Sequence, residues 1–172
     1  MSKGPLVGKP YAIAMARYNS WQNRSLFTCA AALDDAQRKA DRGAFFRSVH
    51  ATLNHILWAD RVWLSRFEGA PQPSGGTADS TALYEDFDAL NAAREEADAA
   101  LLAWSLHVDP DWFEGDLVWY SGILKREVSK PKGQLVAHFF NHQTHHRGQV
   151  HALLTAMGQK PEDTDLMLMN LD

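Results

Sequence analysis

A single cysteine, Cys29, is all the thiol this 172-residue chain carries, so no intrachain disulfide can brace it. That usage suits a reducing compartment. Cys29 lies in the apolar run LFTCAAAL with no basic group beside it to favour the thiolate, and it reads as a buried structural thiol rather than a nucleophile. No stretch approaches the continuous apolar length of a membrane helix. The opening MSKGPLVGKPY lacks the apolar centre of a secretion signal, so a cytoplasmic protein is expected. Positive charge is also scarce: 17 Lys and Arg against 21 Asp and Glu leave a formal net charge of -4. With no basic stripe and no Lys/Arg run interleaved with aromatics, nothing supports a nucleic-acid partner. Repeats and low-complexity tracts are absent, and the length suits one domain spanning 1–172.

Present in quantity are aromatic residues, including 6 Trp and 8 Phe, and long segments of helical periodicity. The periodicity predicts helices over about 11–33, 44–67, 80–107 and 134–157. Their breakers are the polar stretch DDAQRKADRG, the loop GAPQPSGGTADS and the terminal Gly158 with Pro161 beyond. A Ser or Thr at the start of STALYEDF is expected to cap the third helix. Between the third and fourth helices, GDLVWYSGILKREVSKPKG reads as a short hairpin or extended crossover. The tail EDTDLMLMNLD is expected to form a last short turn. The sum is an all-α, four-helix-bundle fold. Apolar faces on long helices also predict a homodimer built through one of them.

The fourth helix carries His138, His142, His145, His146 and His151. At about 100° per residue, and with His138 at zero, His142 falls near 40° and His146 near 80°. The apolar stripe of Leu135, Val136, Phe139, Val150, Leu153, Leu154 and Met157 occupies roughly 60–160°. His142 and His146 therefore border the buried stripe, four residues apart, the spacing by which one helix presents two imidazoles to a single ion. Burying two imidazoles without partners is costly, which favours metal over a solvated polar pair. His138 and His145 stand further round as supporting groups or substrate contacts, Gln149 lies near 20° on the ligand side, and His151 faces elsewhere. A third ligand has to come from another element, and His50, His55 and His107 are available. The wheel of the second helix does not choose between His50 and His55. Asp60 reads as a partner for Arg61, Arg147 or another surface group. Gly148, inside the helix, implies close approach of a neighbouring element.

Two blocks, GAFFRSVHATLNHILWADRVWLSRF and HFFNHQTHHRGQVHALLTAMG, resemble the DinB family of metal-binding helical bundles, and YNSWQNRSL and PEDTDLMLM extend the resemblance over nearly the whole chain. The resemblance implies a divalent-metal site made of His55, followed eight residues on by Trp63, with His142 and His146. His50 is left as a supporting or substrate-contacting group. Zinc is the first expectation for the ion, with nickel, iron or manganese as alternatives. The resemblance further implies kinship with transferases that use a low-molecular-weight thiol, such as bacillithiol or mycothiol, as cosubstrate.

Three neutral imidazoles leave a coordination position open to a small-molecule substrate, the pattern of a catalytic rather than a closed structural site. The expected activity is thiol S-transfer. The alternatives are metal-dependent hydrolysis and a non-enzymatic metal-binding or stress-response role. Gln143 stands where a His-Glu-x-x-His peptidase carries its glutamate, which argues against peptide cleavage.

Overall fold

Four long helices form because each carries an apolar stripe too wide to leave in water. A computed structural model describes residues 4–122 and 124–169. The long helices are α1 (Lys9–Ala31), α3 (Val49–Glu68), α4 (Phe87–His107) and α5 (Lys132–Ala156), with the one-turn α2 (Asp35–Lys39) between the first two. Helix α1 packs on α4 and α5, and α3 packs on the same two, so the four close into a ring around one core. The crossover before α5 is an antiparallel hairpin, β1 (Asp116–Ser121) on β2 (Arg126–Pro131), with Trp119 opposite Val128. The tail makes a single 3₁₀ turn at Leu166–Leu168, and its last residues, 170–172, lie outside the described residues. No helix among the described residues is long and apolar enough to cross a membrane.

Two helix starts fall later than the sequence predicts. Helix α3 opens at Val49 with Ser48 as its cap, accepting from the Ala51 amide, because residues 44–48 fold back on themselves. Ala44 bridges to Arg47, whose φ of 69° is left-handed. Helix α4 opens at Phe87, capped by Asp86 rather than by Ser80 or Thr81. The upstream residues are held in bends outside the helix because the Asn54 side chain takes both backbone groups of Tyr84, accepting from its amide and donating to its carbonyl. A tertiary contact overrides the local propensity there.

The core has two apolar lobes. Leu26, Leu53, Leu57, Leu90 and Leu154 belong to one, and Ala16, Phe67, Leu101, Trp104 and Phe140 to the other. Between them every long helix contributes polar residues at one level: Asn19 and Asn23, Asp60, Arg94 and Asp98, Gln143 and Arg147, all buried. Arg94 bridges Asp60 at 2.5 Å and Asp98 at 2.9 Å. Asp98 also accepts from Asn19 and Asn23, and Arg147 donates to the Asn19 side-chain oxygen. Asp60 is thus a core residue at 4 % exposure, paired with Arg94 and not with a surface group. Burial pushes its carboxyl above the usual range, against the pull of Arg94.

Gly148 corrects another expectation. A Cβ there would meet nothing within 4 Å, so no neighbouring element presses on it. Gly148→Ala should stabilise the protein by about 0.5–1 kcal/mol through helix propensity alone. A rise in the urea midpoint at constant slope checks this. The close approach occurs instead at Gly133, where a Cβ would lie 3.0 Å from the Val7 carbonyl oxygen and 3.1 Å from the Leu6 amide nitrogen. That contact seats the N-terminal segment against the start of α5.

Candidate metal centre

Helix α3 supplies His55 and α5 supplies His142 and His146, one turn apart on the flank where the two helices meet. One ligand-capable atom from each of these three residues lies within 4.8 Å of the others, a group that could hold a metal ion. His55 and His146 are buried and His142 is half-buried. His55 Nε2 and His142 Nε2 lie 3.4 Å apart. Two nitrogens each about 2.0–2.1 Å from an ion at a tetrahedral angle would be separated by about 3.4 Å. The spacing therefore fits two ligands of one divalent ion.

Hydrogen bonds behind the rings decide which nitrogens are free. The Ser80 hydroxyl donates to the Thr77 carbonyl at 2.7 Å, so its oxygen accepts from His55 Nδ1–H at 2.9 Å. Gln149 Oε1, which can only accept, takes the proton of His146 Nδ1 at 2.8 Å, and the same amide donates to His145 Nε2 at 3.2 Å. With Nδ1 protonated in His55 and His146, their Nε2 lone pairs are free to bind metal, and each ring's orientation is fixed from behind. Ser80 is fully buried and anchors a loop rich in Gly, Pro and Ala. Phe46 covers the centre from the turn before α3, its ring 4.0 Å from that of His55 and 5.3 Å from that of His146. Ser80 does not follow from helical periodicity, and Phe46, expected inside the second helix, lies in the turn before it.

Ser80→Ala should weaken binding of a divalent ion by about 10–100-fold while one ion per chain is still held at saturation, because it removes the acceptor that orients His55. Titration against a chromophoric chelator measures both quantities.

All three imidazoles are kept neutral. Burial lowers His55 to about 4, helped by the neighbouring His146, and lowers His142 to about 3, with His146, His55, His138 and His145 adding repulsion. His146 is also lowered by burial, opposed by its bond to Gln149. A ring depressed in the folded state takes up its proton more readily once unfolded. Its contribution to stability is thus present above the unfolded value of about 6.5 and lost as the pH falls toward 3–4. Metal-free protein should lose thermal stability on acidification from pH 6.5, ahead of the carboxylates. A His55→Ala/His142→Ala double variant should show a shallower loss between pH 6.5 and 5 in melts followed by circular dichroism.

The other histidines separate cleanly. His138 is exposed, one turn before His142, with ring centroids 6.1 Å apart, and burial of part of the ring lowers its pKa. His145 reaches the centre through Gln149 and packs 4.9 Å from the His146 ring. His50 does not join the centre: its Nε2 bonds the Tyr84 carbonyl at 2.8 Å, which makes it a support for the loop before α4 rather than a ligand or substrate contact. His107 is exposed and bonds the Ala103 carbonyl of its own helix. His151 lies near Thr155, away from the cluster. Cys29 is half-buried against the first apolar lobe.

Comparison with known proteins agrees with this architecture. The model of the DinB family matches residues 4–171. Protein DinB of Bacillus subtilis (strain 168) is 27% identical over 165 residues, covering 90% of this chain and 91% of that protein. Among solved structures, YfiT from Bacillus subtilis, described as a probable metal-dependent hydrolase with an unusual four-helix bundle topology, superposes with a TM-score of 0.65. It is 16% identical in sequence, and the match covers 93% of this chain and 95% of that one, which speaks to the fold.

Proposed function

This chain belongs to the DinB family, and from that premise we propose that it is a metal-dependent enzyme whose ion, zinc first, is held by His55, His142 and His146 and activates a low-molecular-weight thiol for transfer to an electrophilic carbon. The observation that carries the reading is the 3.4 Å approach of His55 Nε2 to His142 Nε2, with the Nδ1 protons of His55 and His146 turned away onto Ser80 and Gln149. When bound, a divalent ion there supplies Lewis-acid activation, lowering the pKa of a thiol or water near neutral pH.

The chain's own residues do the rest. Ser80 and Gln149 hold the rings in place, so little reorganisation is needed at the moment of reaction. Phe46 and Trp58 flank His55 and shield it from bulk water, which strengthens electrostatic interactions. His138, exposed beside His142 and lowered in pKa by partial burial, is the base available to take a proton released at the site. The metal-capable group contains imidazoles and no carboxylate. Such a donor set suits a bound thiol or a bound water, each of which needs to lose only one proton to become the nucleophile.

Hydrolysis is the second reading, and the description of YfiT favours it. Zinc-loaded protein offered small thiols one at a time with an electrophile panel should consume thiol and electrophile together, and His142→Ala should not. Turnover of esters or amides without thiol would support hydrolysis instead, and neither activity would leave a non-catalytic metal-binding role.

A further inference from the structure

Arg66 is a charged group on the strip that leads from the histidine centre toward the hairpin, and among the described residues no carboxylate pairs with it. It follows His55 on α3 by eleven residues, about 20° round the helix and about 16 Å along it. The two side chains therefore share a face. The strip between them is continuous: the His142 ring lies 6.1 Å from His138, and His138 lies 5.4 Å from Trp63. The Arg66 guanidinium stands 4.7 Å over the Trp63 ring and 5.6 Å from the ring of Trp119, which β1 brings to the same place. His138 is exposed, and His142, Trp63, Trp119 and Arg66 are half-buried, so the strip can be reached from solvent.

The electrostatics of Arg66 are unbalanced. Its Nε is buried without a hydrogen-bond partner, and among the described residues no carboxylate lies within ion-pair distance of it. Burial lowers its pKa, with no opposing acid to restore it. Its place in the last turn of α3 and the two indole faces stabilise the cation, but they leave the edge of the guanidinium without an acceptor. A planar fork seated against two indoles, with its edge free, matches the two oxygens of a carboxylate.

We propose that Arg66, supported by Trp63 and Trp119, binds a carboxylate of the small-molecule substrate or cosubstrate whose reactive end lies at His55, His142 and His146. The inference rests on the reading above and makes it narrower. The molecule is an elongated anion, long enough to span about three helical turns, with an apolar or amide-like middle that lies along Trp63 and His138. Arg66 is thereby a specificity-determining residue and takes no part in the reaction itself.

The test uses ω-mercapto carboxylic acids from mercaptoacetic to mercaptoundecanoic acid, each against its ω-mercapto amide, binding zinc-loaded protein in a calorimeter. Long acids should bind about tenfold tighter than their amides, the size of one charge-assisted hydrogen-bonded contact. Mercaptoacetic acid, too short to reach, should show no such preference. Arg66→Gln should abolish the preference of the long acids while leaving zinc stoichiometry and amide affinity unchanged. Should that variant not fold, Arg66→Lys, which keeps the charge and loses the fork, should show a reduced preference. A preference that survives in Arg66→Gln, or is absent from wild type at every length, overturns the proposal. If the protein holds no zinc, the metal reading fails by itself. Decanoate against decanamide on metal-free protein then decides Arg66: a preference for the acid that Arg66→Gln removes supports the site, and equal binding refutes it.

Discussion

His142→Ala is expected to reduce affinity for a divalent ion by a hundredfold or more and to abolish turnover. Structural zinc sites with four ligands gain about 10–16 kcal/mol on binding, so one ligand accounts for roughly 3 kcal/mol, on the order of a hundredfold or more. His142 has no substitute. His138, one turn away on the same helix, is 6.1 Å off between ring centroids, and His145 already accepts from Gln149. The fold should survive, because His142 lies on the flank and is half-buried. Metal content of purified protein, with its helical signal as the control for folding, checks both halves. His55→Ala should behave alike, whereas His50→Ala should keep its metal and lose stability, since it removes a hydrogen bond to the loop before α4. Retention of a full complement of ion by His55→Ala would move the third ligand elsewhere.

The largest effect on stability is expected at Arg94, which is 2 % exposed and bonded to two buried carboxylates. Arg94→Met keeps the length of the chain but leaves Asp60 and Asp98 without their shared cation. Breaking a buried pair from one side costs about 3–5 kcal/mol, which in a domain of this size lowers Tm by roughly 10 °C. Asp98 retains Asn19 and Asn23, but Asp60 loses its ion pair and keeps only the attraction of Arg147 against the cost of burial, which favours its protonated form. The loss should therefore shrink as the pH falls and protonation of Asp60 becomes less costly, and urea unfolding at pH 5 and pH 8 compares the two. A change below about 1 kcal/mol would mean that the belt does not carry the burden its geometry assigns it.

The polar belt shows what the sequence makes legible and what it hides. Asp60 comes seven residues after Leu53 and seven before Phe67, in phase with the apolar stripe of α3. That phase marks it as buried, yet a lone charge in a stripe is easily assigned to the surface, because its partner Arg94 lies on another helix. Period alone cannot say which polar residues from four helices meet at one level. The histidine pair on α5 is different. His142 and His146 are related by local geometry, so the wheel finds them. The third position needs tertiary information: His50 and His55 are separated by less than two turns of one helix, and only the packing of α3 on α5 turns His55 to the pair and His50 to Tyr84. Ser80 carries no periodic signal, being a loop serine inside an expected helix, and Phe46, expected within the second helix, instead reaches the centre from the turn before it.

The central claim is that His55, His142 and His146 share one ion with room left for a small molecule. Anomalous diffraction at the zinc edge, from crystals of zinc-loaded protein, tests it most directly. The predicted result is one ion per chain with nitrogens of these three residues about 2.0–2.1 Å away and no fourth protein ligand. An ion bound through His50, His138 or His145 in place of any of the three, or a shell closed by a fourth side chain, would contradict the account.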